Sequence, residues 1–450
     1  MLKVFEPISL KLLSTDWLMP SVAVRIPMRA MIPNIMMSRV SAVRSLLADM
    51  ALRASRIFSV RFIPLQRCKF FRNQSGKDFL YLMMMQRAFH VILITAMLFI
   101  SHNSAFAGMD MAQLTPQQTD SLIKYLHGFP IHTQLSVAII QGNNILYTGI
   151  LIEKDTFQII ENMDSIFEIG SITKVFTSVL LADCVNKGIV NLSDPINLFF
   201  DFPLKQSSID GKEITLENLA NHTSGLPRID VSMNTGRYNK DDPYKDYDEK
   251  RLNDYLQNKM KLDTIPGTKF SYSNLGGGLL GFILCHKAHK TYEALLQEII
   301  FGPLGMKSTT TDISVVKDRL VKGHSKDGNI TDNWTFTDAA AGAGAIKSCV
   351  TDMVRFIQAN FVQNKMLDLP RVKTFSINAG MGVGLGWMIK NKNNNTTLYW
   401  HNGGTGGYKS CMAIDVNKKR GVVILSNVSS FHILNADIDK LCFALLDSIN

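Results

Sequence analysis

Strand-type hydrophobic patterning sits near both ends of this chain, and that placement constrains the fold more than any other feature. Residues 135–140 and 145–152 flank the turn Gly142-Asn143-Asn144, which reads as a β-hairpin. Far downstream, residues 397–400 read as a strand. Residues 408–416 and 422–425 then form a second hairpin about the turn Asn417-Lys418-Lys419-Arg420-Gly421, with a glycine-rich edge before it. A helix over 116–127 precedes the first hairpin, another over about 436–448 follows the last strand, and helical segments fill the middle. Joining the two ends predicts an α/β (α+β) architecture: one antiparallel sheet flanked by the terminal helices, with a mainly helical lobe inserted. The expected α/β lobe covers about 115–200 and 341–450, and the helical lobe about 201–340. Some 343 residues follow position 107, more than one core usually serves, hence two lobes. The polar stretch 230–261 reads as a long loop with short helices bordering a cleft.

The formal charge of +10 invites a nucleic-acid reading that its distribution removes. Residues 1–107 carry 14 Lys and Arg against 4 Asp and Glu, whereas 108–450 carry 34 of each. No basic stripe is left to follow phosphates, so no nucleic-acid partner is expected. Residues 91–100 form an apolar core preceded by Arg87 and followed by Ala105-Phe106-Ala107, the pattern of a secretory signal peptide. We expect a signal peptide over 83–107, cleavage after Ala107, and a secreted or periplasmic domain over 108–450. The apolar core falls short of the roughly 20 residues a membrane span needs, so membrane contact is expected only through an uncleaved signal segment. Residues 1–82 are Arg- and Met-rich without periodicity. They read as a non-native or disordered leader, with translation starting at Met83, Met84 or Met85; an organelle transit sequence is the rival. Beyond Cys68 the five cysteines Cys184, Cys285, Cys349, Cys411 and Cys442 are expected as buried thiols rather than a disulfide framework.

Three short segments carry chemistry. Ser171-Ile172-Thr173-Lys174 opens an apolar run that Gly188 stops, which predicts a buried helix starting at or near Ser171. Residues three apart share a helix face, so Ser171 and Lys174 point the same way at the positive end of the helix dipole. A hydroxyl and an amine so placed can become a nucleophile and its base. A second copy, Ser314-Val315-Val316-Lys317, lies among Asp312, Asp318 and Arg319 and reads as a solvated surface segment. Tyr272-Ser273-Asn274 follows the turn Pro266-Gly267 and precedes Gly276-Gly277-Gly278. His401-Asn402-Gly403-Gly404 ends a strand, where glycines leave backbone N–H groups bare for a substrate carbonyl. Singly, these segments have ordinary structural readings: a tyrosine packed at a helix start, a histidine closing a strand.

In this order the three segments resemble the serine β-lactamase and penicillin-binding superfamily, on the branch of class C β-lactamases, D-Ala-D-Ala carboxypeptidases and related esterases. Phe167-Glu168-Ile169-Gly170, Asn221-His222-Thr223-Ser224-Gly225-Leu226-Pro227 and Pro303-Leu304-Gly305-Met306 extend the resemblance, which runs from about residue 115 to the end. It implies a β-lactamase/transpeptidase-like fold and an acyl-enzyme on Ser171, with Lys174 and Tyr272 sharing the role of base. Tyr272 serves if Lys174 and a cationic His401 hold it as phenolate. The oxyanion is expected between the N–H groups of Ser171 and Gly404. Asn274 is expected on Lys174 or the substrate amide, and His401 and Asn402, with Gly403 beside them, on the substrate's carboxylate.

One departure matters. His401-Asn402-Gly403 stands where true class C β-lactamases carry Lys-Thr-Gly or Lys-Ser-Gly, so acylation by penicillin is expected with inefficient β-lactam hydrolysis. Tyr-Ser-Asn in place of Ser-Asp-Asn excludes class A enzymes. Expected substrates are β-lactams, D-Ala-ended peptides, or small esters and amides. A carboxypeptidase or esterase with weak lactamase activity and a penicillin-binding sensor are the alternatives. No cofactor is expected, and no metal: Cys285-His286-Lys287-Ala288-His289 lacks a fourth ligand nearby in sequence. A monomer is expected.

Overall fold

Two segments far apart in sequence, residues 134–141 and 420–426, pair at the middle of one sheet. The computed structural model describes residues 24–27, 114–154, 156–230, 233, 239, 241–392 and 396–449. The main sheet has ten strands: β1 (Val24–Pro27), β2 (Gln134–Gln141), β3 (Asn144–Glu153), β4 (Thr156–Ile160), β5 (Phe375–Asn378), β6 (Met381–Val383), β7 (Met388–Lys392), β8 (Thr396–Gly404), β9 (Lys409–Asp415) and β10 (Arg420–Ser426). Their spatial order is β1-β4-β3-β2-β10-β9-β8-β7-β6-β5, and every pairing is antiparallel. The closing contact is β2 with β10, in the register Val422↔Ile139 and Ile424↔Val137.

Side chains alternate across a strand, and here both faces are covered. From β2 and β10, Ala138, Ile140, Val423 and Leu425 join one cluster with the helices α2 (Thr173–Asn186), α3 (Asn274–Ala288) and α4 (Val350–Ala359). Leu135, Val137, Ile139, Val422 and Ile424 face the other way. They pack on Leu122 and Leu126 of α1 (Pro116–Leu126) and on Ile438, Leu441 and Leu445 of α5 (Asn435–Asp447). Double coverage explains why residues 422–425 read as a continuous apolar run and 135–140 as one broken only by Ser136, rather than as alternating strands. α1 starts at a capping box in which Thr115 and Gln118 satisfy each other's backbone N–H groups.

α2 is buried on nearly every side, as a helix apolar all round must be. The sequence placed its start at or near Ser171; a 3₁₀ turn, Gly170–Ile172, holds the serine, and α-helical geometry begins at Thr173. One other local expectation changes. The glycine-rich segment after strand 397–400 is not at the sheet's edge, since it continues β8 and β7, β6 and β5 lie beyond it. Residues 24–27 form β1, which pairs with β4. Ser314 lies on an exposed surface segment. The signal peptide over 83–107, its cleavage after Ala107, the start at Met83–Met85 and Cys68 fall outside the described residues. Among the described residues no helix is long and apolar enough to cross a membrane.

Replacing a fully buried leucine or isoleucine by alanine typically costs about 2–5 kcal/mol. Ile424→Ala, at the join between the chain's two ends, should lower stability by about that amount in urea titration. Val315→Ala, at a side chain 68% exposed, should stay within about 0.5 kcal/mol of the parent.

Candidate active site

β8 is longer than its outer neighbour. Pairing with β7 stops at Met388↔Trp400, while pairing with β9 continues to Gly404↔Lys409. Residues 401–404 therefore overhang, and the glycine-rich half of the strand is a local edge inside a larger sheet. The 3₁₀ turn bearing Ser171 crosses this overhang closely. Gly170 has φ +50°, and a Cβ there would sit 2.5 Å from the Gly404 nitrogen. A Cβ on Gly403 would collide with the Ile169 carbonyl, whose oxygen accepts a bond from Ser410 Oγ at 2.8 Å.

The loop before α3 supplies the third side. Ser273 caps α3 by accepting from the Gly276 N–H at 2.9 Å. Its own hydroxyl donates to the Pro227 carbonyl at 2.7 Å, and the Ser273 N–H donates to His222 Nδ1 at 3.3 Å. The segment 221–227 is thus a brace that fixes Tyr272 and Asn274 against the end of α2.

Lys174 is the centre of the constellation. Its Nζ lies 3.0 Å from Ser171 Oγ, 2.9 Å from Asn274 Oδ1 and 2.7 Å from the Ala343 carbonyl oxygen. The side chain is 3% exposed, and burial drives its pKa well below the usual lysine range, with the Arg228 charge acting in the same direction. Two of the three oxygens are acceptors only, so a neutral amine spends both N–H groups on Asn274 and Ala343. Its lone pair is then left to the Ser171 hydroxyl. Asn274 is held in turn by Tyr244, whose hydroxyl oxygen accepts from Nδ2 at 3.0 Å. Tyr244 stacks on Phe336, with ring centroids 4.7 Å apart.

The Tyr272 ring centroid is 5.0 Å from Lys174 Nζ and 5.1 Å from the Arg228 guanidinium carbon. His222 lies against the same ring at 4.4 Å and His401 at 6.2 Å. Burial pushes the Tyr272 phenol well above its ordinary value, outweighing the lowering influence of Ser171 and the Arg228 charge, so the resting group is a phenol.

One sequence-based expectation needs correction, and the charge of His401, which the sequence left open, gains a direction. Burial, aided by the Lys409 charge, lowers the His401 pKa to about 3, away from the cationic form. Its Nδ1 sits 2.6 Å from the Asn402 carbonyl oxygen. Asn402 does not face the site. Alternation along β8 turns it to the opposite face, where Nδ2 donates to Asp439 Oδ2 at 2.7 Å on α5. Ser171, Lys174, Tyr272, Asn274, His401, Gly403 and Gly404 do come together. His222, Arg228 and Tyr244 join them without having been singled out. The first two fall in or just after the segment 221–227, so a signal was present; Tyr244, in a polar loop, had none. No group of three or more metal-ligating side chains occurs among the described residues.

A family model described as beta-lactamase matches residues 133–438. The chain belongs to the beta-lactamase family. It is a serine hydrolase of that family, as its three motif segments led us to expect. The D-alanyl-D-alanine-carboxypeptidase/endopeptidase AmpH of Escherichia coli is 30% identical over 331 residues, covering 69% of this chain and 84% of the relative. A beta-lactamase/D-alanine carboxypeptidase from Yersinia pestis superposes with TM-score 0.61 at 25% identity, covering 74% of this chain and 99% of that one. A class C beta-lactamase structure superposes with TM-score 0.62 at 20% identity, covering 76% and 98%, which bears on fold alone. This beta-lactamase-family chain thus has the expected β-lactamase/transpeptidase-like fold.

A buried imidazole that protonates only near pH 3 has a direct consequence for stability. Between pH 6.5 and about 3 the unfolded chain binds the proton that folded His401 refuses, so stability falls as pH falls through that window. His401→Gln should make the acid limb of the stability–pH curve shallower. In the parent, His401 ring carbons should keep neutral-imidazole NMR shifts from pH 8 to about pH 5; a midpoint near 6.5 would contradict this.

Proposed function

We propose that this chain hydrolyses D-Ala-ended peptides and related small amides or esters through an acyl-enzyme on Ser171, and that β-lactams acylate the same serine but leave slowly. The observation that carries the reading is the buried amine of Lys174 within 3.0 Å of Ser171 Oγ. A neutral lysine next to a hydroxyl is a competent general base, and such a base is worth about 10²–10⁴ in rate. Lys174 takes the Ser171 proton as Oγ attacks the scissile carbonyl. The oxyanion forms between the N–H groups of Ser171 and Gly404, which the close crossing of Gly170 and Gly404 brings to one side of the cleft. Each donor of this kind contributes about 3 kcal/mol to lowering the barrier. Tyr272, kept protonated by burial, holds a proton at Oγ for the departing group, and Lys174 restores it. Water, activated by the same amine, then clears the ester.

The preference for peptides over efficient β-lactam turnover rests on the third segment. A neutral His401 and an Asn402 turned to the opposite face give this site a different polar wall from Lys-Thr-Gly. The 30% identity to a D-alanyl-D-alanine-carboxypeptidase/endopeptidase supports the same choice. On this reading residues 83–107 are a signal peptide cleaved after Ala107, and the exported domain works as a monomer.

Incubation of the purified protein with penicillin should give a stable adduct that intact-mass and peptide mapping place on Ser171. Nitrocefin should change colour slowly, and acetyl-D-alanyl-D-alanine should release D-alanine. Ser171→Ala should abolish all three signals, Lys174→Ala should slow acylation about 10²–10⁴-fold, and Ser314→Ala should change none. An adduct on another residue, or rapid nitrocefin turnover with no D-alanine release, would overturn the proposal.

A further inference from the structure

The site contains a permanent positive charge that the chemistry above does not use. Arg228 follows the brace directly, and its carbonyl oxygen accepts from the N–H groups of Asn274 at 2.8 Å and Leu275 at 3.2 Å. Its backbone is therefore pinned to the first turn of α3, beside the residue that holds Lys174. Its side chain is exposed, yet the guanidinium carbon stands only 5.1 Å from the Tyr272 ring centroid, so it is held at the mouth of the site rather than reaching into solvent. Among the described residues no carboxylate pairs with it; the ion pairs present join other residues.

The other cations of the site are accounted for. Burial drives the pKa values of Lys174 and His401 down, away from their charged forms. Lys409 is paired with Asp439 at 2.9 Å, on the face to which Asn402 turns. The carboxylate contact that sequence assigned to His401 and Asn402 thus has no charged group at those positions. Arg228 presents a planar fork of donors suited to a carboxylate, and its charge already reaches Lys174, His222, Tyr244 and Tyr272.

We infer that Arg228 is a specificity residue that binds a carboxylate of the substrate across the face of Tyr272. The inference rests on the reading of Ser171 as nucleophile, and it commits to an anionic substrate. The carboxylate could belong to the leaving group, as in a C-terminal D-alanine, or to the acyl side.

Two matched pairs of probes separate these sources: acetyl-D-alanyl-D-alanine against its C-terminal amide, and the nitrophenyl monoester of glutarate against nitrophenyl acetate. For each pair the ratio of kcat/KM, charged over neutral, is compared between the parent and Arg228→Gln. A charge-assisted contact of this kind should make one ratio fall about ten- to hundredfold in the variant, and the pair affected names the source. Equal loss on charged and neutral partners would show that Arg228 only sets the field on Lys174 and Tyr272, and no loss would show that it is idle; either overturns the inference. The dissociation constant of acetyl-D-alanyl-D-alanine and of glutarate, measured by calorimetry on Ser171→Ala with and without Arg228→Gln, reads the same contact without turnover. If the parent turns over none of the substrates, the reading of Ser171 fails, while this binding comparison still decides Arg228.

Discussion

An amine buried among three oxygens is the constraint around which this molecule is organised. A charged ammonium at a site 3% exposed would be very costly, so the chain either pairs it or discharges it. Among the described residues no carboxylate contacts Lys174; it meets a hydroxyl, a side-chain amide and a backbone carbonyl. Those partners suit a neutral amine with two donors and one lone pair, and they come from three separate segments. The approach of α3 is part of the same arrangement, since a Cβ on Gly277 would stand 2.9 Å from Lys174 Cε. On the proposed reading, base chemistry at neutral pH follows from packing rather than from a dedicated acidic partner.

The sheet serves this arrangement by bringing distant segments into register. β2 and β10 join the ends of the chain, β9 carries Ser410 to the Ile169 carbonyl, and β8 overhangs its neighbour by the residues that meet the Ser171 turn. Stability and function share this construction. The doubly covered strands anchor the sheet, and the strand half that β7 leaves unpaired is the one that the Ser171 turn crosses. Glycines at 170 and 403 permit the crossing, because a side chain at either would strike the opposing backbone.

Much of this was legible in the sequence. Periodicity identified the terminal hairpins and helices, and the order of three short segments picked out Ser171, Lys174 and Tyr272, which the fold brings together. What escaped was set by tertiary burial. A histidine closing a strand gives no hint that desolvation will hold it neutral, as happens to His401. Asn402 was misassigned although strand alternation puts 401 and 403 on one face and 402 on the other, so that error was avoidable. Tyr244 lies in a polar stretch without periodicity, and only folding brings its hydroxyl to Asn274. The left-handed backbone of Gly170 was equally invisible, because a glycine's φ depends on what crosses it.

The charge state of Lys174 is the point on which the chemistry turns, and it can be read directly. Protein labelled with ¹³C and ¹⁵N in lysine, with Lys174→Arg to assign the resonance, gives the Lys174 Cε and Nζ shifts across a pH titration. A neutral-amine signature at pH 7, with a midpoint well below the ordinary lysine value of about 10.4, is the expected result. An ammonium signature persisting to about pH 10 would contradict it and return the role of base to another group.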